Sequence, residues 1–158
     1  MRADVAPARA YAGPFRALVA EGTTRAGGIV ATSRHRFTAA AIESRWSLAG
    51  RLPAGARAEA LFPTWGRAAR AVARLRDGRS VRLGRTPVAL RRIVAIDVTG
   101  DRGAGYRIAP LARPAAATVA LAPTRPQPAA PTPGPTVAVR FGGRTPNPAF
   151  EARITVRG

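Results

Sequence analysis

The chain has no cysteine, no lysine and a single histidine, and each absence closes a class of function. Without Cys there is no disulfide, and His35 alone can supply neither the four ligands of structural zinc nor the three of a catalytic zinc site. The missing Cys fits a reducing or an oxidising compartment equally. Without Lys there is no phosphate-cradling Gly-x-x-x-x-Gly-Lys. No Gly-x-Gly-x-x-Gly occurs either, since Gly100-Asp101-Arg102-Gly103-Ala104-Gly105 carries turn chemistry. A nucleophilic triad would have to use His35, whose neighbours Arg34 and Arg36 oppose an imidazolium. No catalytic residue and no cofactor is therefore assigned. Long apolar runs are missing too. Arg9, Pro14, Arg16 and Glu21 interrupt the first 25 residues, and no segment approaches the roughly 18 apolar residues of a membrane span. The sequence as given carries no export signal and no span, so an extracellular role would make it part of a longer protein.

Large side chains are scarce. Of 158 residues 46% are hydrophobic, but 36 are Ala, and Leu, Ile, Val and Phe together make only about a fifth of the chain. With a net charge of +18 this borders the composition of disordered chains, so the core is expected to be thin. Sixteen Gly and 15 Pro disfavour long helices. All 26 basic residues are Arg against eight acids. Guanidinium suits bidentate contact with phosphate, carboxylate or sulfate, and this surface attracts polyanions. The arginines run from Arg2 to Arg157 with no basic tail, which is also how solvated strand faces look.

Apolar residues recur at period two. Phe150, Ala152, Ile154 and Val156 alternate with Glu151, Arg153, Thr155 and Arg157. Val137, Val139 and Phe141 alternate with Thr136, Ala138 and Arg140, and Val94, Ile96 and Val98 with Ala95 and Asp97. Phe15, Ala17 and Val19 follow the same rule less cleanly, and Gly27-Gly28 opens a β-branched run at residues 29–32. Around Asp77-Gly78 a two-residue loop would place Arg74 on the apolar face. A three-residue loop, Arg76-Asp77-Gly78, with left-handed Gly78 in a G1 bulge, pairs Ala73 with Val81 and gathers Ala71, Ala73, Leu75, Val81 and Leu83 on one face. The bulged register is expected. A second reversal is expected at residues 100–105. Residues 36–48 read as strand or as helix; the strand is preferred because its neighbours are extended and a helix leaves Trp46 off the Phe37–Ala41 stripe.

Six prolines in residues 123–135 favour polyproline II and a crossover outside the sheet ladder. The expected fold is all-β, an antiparallel β-sandwich of eight to ten short strands. Residues 1–13 read as a flexible segment and 14–158 as one domain with the Pro-rich crossover at 123–135.

The succession Ser33-Arg34-His35-Arg36-Phe37, Ile42-Glu43-Ser44-Arg45-Trp46, Leu61-Phe62-Pro63-Thr64-Trp65-Gly66 and Leu75-Arg76-Asp77-Gly78-Arg79 resembles the C-terminal β-sandwich of heparinase II/III-like bacterial polysaccharide lyases. The resemblance covers roughly residues 15–141 and rests on strand and turn texture. In that family a preceding α-helical toroid supplies the catalytic Tyr and His. No toroid is present here, so neither role passes to Tyr106 or His35. The resemblance implies a non-catalytic accessory or structural module of a polysaccharide-processing protein, with an upstream catalytic domain and an acidic polysaccharide or other polyanion as partners. Trp65, Arg67, Arg74 and Arg82 are the expected ligand-binding residues, with Trp65 a stacking platform at a strand end and Trp46 a core residue. Two other classes stand beside it. One is a charge-driven nucleic-acid binder, whose only aromatic hint is Phe141-Gly142-Gly143-Arg144. The other is an enzyme built on paired carboxylates, whose scattered acids fit salt bridges better.

Overall fold

A computed structural model describes residues 18–26, 28–66, 68–122, 133–142 and 146–157. Twelve strands are found among them: β1 (Leu18–Ala26), β2 (Ile29–Phe37), β3 (Ile42–Ala49), β4 (Ala58–Trp65), β5 (Arg70–Leu75), β6 (Ser80–Arg82), β7 (Val88–Ala89), β8 (Ile93–Thr99), β9 (Gly105–Ala112), β10 (Thr118–Ala122), β11 (Pro133–Phe141) and β12 (Ala149–Arg157). Single 3-10 turns at Leu90–Arg92 and Asp101–Gly103 are the only helical elements of the described residues. All pairings are antiparallel, in an eight-stranded sheet ordered β1-β2-β3-β12-β9-β8-β5-β6 and a four-stranded sheet ordered β4-β11-β10-β7. This is the all-β sandwich that the alternation predicts. The count exceeds eight to ten because β6 and β7 are too short to show a period.

One core joins the sheets. Phe62, Val119, Val137, Val139 and Phe141 from the small sheet meet Leu75, Ile93, Ile96, Val98, Ile108 and Phe150 from the large one, with Ala60, Ala71, Ala73 and Ala152 filling the narrow places. Trp46, partly buried, packs against this core: its ring stacks on Phe150 (centroids 5.5 Å apart, 19° between planes) and meets Phe62 edge-on at 5.2 Å. No described side chain of β1 or β2 belongs to this buried cluster, to which β12, β9, β8 and β5 contribute from the large sheet.

The hairpin register is the bulged one. Ala73 pairs with Val81, the Leu75 N–H donates to the Arg79 carbonyl at 2.8 Å, and Gly78 sits at φ 82°. Ala71, Ala73, Leu75 and Leu83 are buried as the alternation requires, while Val81, on the edge strand, stays 37% exposed. The reversal at residues 100–105 is present between β8 and β9. Residues 36–48 are extended, divided by a turn that sequence reasoning missed: Thr38 Oγ1 accepts the Ala41 N–H at 3.0 Å and donates to its carbonyl at 2.9 Å. Phe15 and Ala17 lie outside the described residues, as do residues 1–13 and 123–132. The Pro-rich stretch differs from expectation at its end, because Pro133 and Pro135 open β11, an interior strand. A register shift between Pro133 and Thr136 relieves the ladder there of donors that proline lacks.

Two glycines carry different constraints. At Gly78 a Cβ would meet open space, so Gly78→Ala should cost only the left-handed strain, about 1 kcal/mol. A Cβ on Gly105 would run into the Val98 carbonyl oxygen of the neighbouring strand. Chemical denaturation should therefore find Gly105→Ala clearly the more damaging; the reverse order would contradict the β8–β9 packing.

Candidate functional site: an arginine face on the large sheet

Strand alternation divides the large sheet sharply. Ile96, Val98 and Ile108 point into the core, so Asp97 and Arg107, paired across β8 and β9, point outward. Register extends this outer face in rows. Arg82, Val72, Asp97, Arg107 and Thr155 form one. Arg70, Thr99, Gly105 and Arg157 flank it. Farther across, Arg153, Glu43 and Arg36 align, as do Glu151, Arg45, Arg34 and Glu21. With Arg74, paired to Ala95, and Arg25, four residues beyond Glu21 on β1, the face presents ten arginines (25, 34, 36, 45, 70, 74, 82, 107, 153 and 157) and four acids (21, 43, 97 and 151). Seven strand spacings separate β1 from β6, so the arginines span about 34 Å at ~4.8 Å per strand.

The acids are already committed. Asp97, its side chain 11% exposed, accepts Arg107 Nε at 2.7 Å and Arg74 Nε at 3.1 Å, and lies 3.1 Å from Arg157. The Arg107 hydrogen bond, then that of Arg74 and the charges of Arg107 and Arg157, hold its carboxyl below the usual range despite burial. Glu43 is likewise held low, first by Arg153 at 2.7 Å and then by Arg36 at 3.6 Å. Glu151 lies 3.2 Å from Arg45 and Glu21 3.5 Å from Arg34. Arg25, Arg70 and Arg82 have no acidic partner among the described residues. A depression of about 330 Å³ sits where Arg34, Arg36, Arg45, Val19 and Leu111 surround Glu43 and Glu151.

The structure brings Arg74 and Arg82 together on this face and sets Trp65 apart from them. The Trp65 ring, 39% exposed, lies 5.9 Å from that of Tyr106, a residue whose cross-strand partner Val98 is core. A Cβ on Gly100 would collide with the indole, and the Tyr106 hydroxyl donates to the Pro63 carbonyl at 2.6 Å, so Trp65 seals the open edge between the sheets. Burial pushes the Tyr106 phenol up. Arg67 lies outside the described residues. His35 shares a 2.8 Å hydrogen bond with buried Ser44 and meets the Trp46 ring edge-on at 5.5 Å. Burial lowers the imidazole pKa. Among the described residues no group of three His, Cys, Asp or Glu is placed to hold a metal.

Sequence reasoning missed the Asp97 cluster, although one signal was available: Asp97 is the single charge inside the otherwise apolar β8.

Two pH windows follow. His35, with a folded pKa below 6.5, contributes stability that is present above 6.5 and lost as pH falls through the folded value. Asp97 and Glu43 do the same below their ordinary 3.8 and 4.5. Thermal unfolding should show a loss as pH falls below 6.5 that His35→Gln flattens, and a second loss below pH 4 that it leaves intact. Asp97→Asn, which strands three guanidinium groups, should cost about 2 kcal/mol at pH 7; an unchanged Tm would remove the cluster's structural role. No protein-family model, curated protein or solved structure matches the chain.

Proposed function

We propose that the chain is a non-catalytic β-sandwich module that binds acidic polysaccharide along the arginine face of its large sheet, in the service of a polysaccharide-processing protein. One observation carries the reading: ten arginines against four carboxylates on one face, each carboxylate already beside a guanidinium, so the excess charge is directed at solvent. An extended, regularly spaced array suits a polymer of repeated anionic groups. The acids support the non-catalytic part. Every described carboxylate engages a donor, and Glu43, Asp77 and Asp97 are held low, so none of those three is poised to give up a proton at neutral pH. The outer face carries no aromatic side chain among the described residues, which disfavours the base stacking on which single-stranded nucleic-acid binders depend.

The test compares a polyuronate with single-stranded DNA at matched ionic strength. Arg74→Gln with Arg82→Gln should weaken polyuronate binding about tenfold and lower the salt slope by about two. Trp65→Ala should leave binding unchanged while costing about 2 kcal/mol of stability, less than a fully buried Trp would. Tighter binding of DNA than of polyuronate would overturn the reading in favour of a nucleic-acid binder. Loss of binding with Trp65→Ala alone, in a variant that remains folded, would place the ligand elsewhere.

A further inference from the structure

At the far end of β5 and β8 from Trp65, a cleft of about 550 Å³ is lined by Leu75, Arg76, Asp77, Arg91, Arg92 and Arg113. We infer that it is a discrete binding site for a tetrahedral oxyanion of the phosphate or sulfate class, separate from the arginine face. The inference holds whether or not that face takes a polysaccharide.

Three segments far apart in sequence deliver the four guanidinium groups, and each is fixed from behind. The bulged hairpin presents Arg76, whose backbone N–H donates to the Arg92 carbonyl at 2.9 Å and so ties the hairpin to the 3-10 turn carrying Arg91 and Arg92. Arg113, just past β9, donates its Nε–H to the Ile93 carbonyl at 3.0 Å, which leaves the terminal nitrogens of its fork for another acceptor. The lone carboxylate is spoken for. Asp77 accepts the Arg79 N–H, Nε and Nη2 at 3.1, 3.0 and 2.7 Å, and Arg92 stands 4.0 Å away. Arg76 and Arg91 have no side-chain partner among the described residues. Four like charges held around one hollow repel one another, and an oxyanion seated between them replaces that repulsion with charge-assisted hydrogen bonds. A tetrahedral group offers several oxygens to forks arriving from different sides, which a planar carboxylate cannot match.

Inorganic phosphate and, separately, sodium sulfate are titrated into the full chain by calorimetry, with ionic strength held constant by sodium chloride. Saturable binding of one anion per chain is expected for at least one of the two, and their relative affinities identify the ester class. Arg91→Gln should weaken it about tenfold and Arg91→Gln with Arg113→Gln about a hundredfold. The outer-face pair Arg74→Gln and Arg82→Gln should leave it unchanged. Because the Arg91 side chain has no structural partner to lose, its single variant keeps the test valid if the double variant unfolds. Binding that does not saturate, that Arg91→Gln leaves intact, or that falls equally in the outer-face pair would overturn the site.

Discussion

A single carboxylate, that of Asp97, organises the outer side of the large sheet. It stands on β8 and is reached by Arg74 from β5, Arg107 from β9 and Arg157 from β12, so four adjacent strands are tied across their solvent side. The four strands are those whose inner side carries the core, and apolar packing beneath and charge pairing above act on the same ladder. The arrangement also explains how so cationic a face persists. Each arginine column would repel its neighbour, and the acid between them converts repulsion into hydrogen bonds while leaving a positive excess. Glu43, between Arg153 and Arg36, repeats the device toward the other edge.

The thin core imposes a second constraint. Alanine at Ala60, Ala71, Ala73 and Ala152 lets the sheets approach closely, and the few large side chains are concentrated where they touch: Trp46, Phe62, Phe141 and Phe150 form one aromatic cluster at the β3–β12 side of the interface. Strands β1 and β2 lie outside it except for His35, whose ring meets Trp46 edge-on, and otherwise depend on ladder hydrogen bonds and cross-strand ion pairs. Charged Glu21 and Arg25 on the edge strand β1 discourage pairing with another chain.

The sandwich was legible because strand alternation is local: β11 and β12 show their period in consecutive residues, and the Asp77-Gly78 register follows from which alternative buries Arg74; in β8 the expectation fails at Val94, which is exposed while Ile93 is buried, because a register shift between Arg74 and Leu75 breaks the alternation there. The Thr38–Ala41 turn was less visible, since three alanines and a threonine are weak turn formers and the side-chain bond that closes it spans a gap. The arginine face was half legible. Arg74 and Arg82 are neighbours through a hairpin and could be paired from sequence. Their convergence with Arg107 and Arg157 depends on the strand order β12-β9-β8-β5, which is set by long-range pairing. Trp65 reads as exposed from its turn setting, yet its contacts with Gly100 and Tyr106 arise from elements 35 or more residues away.

Arginine side-chain NMR tests the central claim most directly, by following each Nε–H and the two Trp indole N–H signals as a polyuronate is added. Shifts are expected to gather on Arg34, Arg36, Arg45, Arg74 and Arg82, with smaller ones on Arg107 and Arg157 and a still Trp65 indole. Shifts spread evenly over all arginines, or centred on Trp65, would contradict the claim.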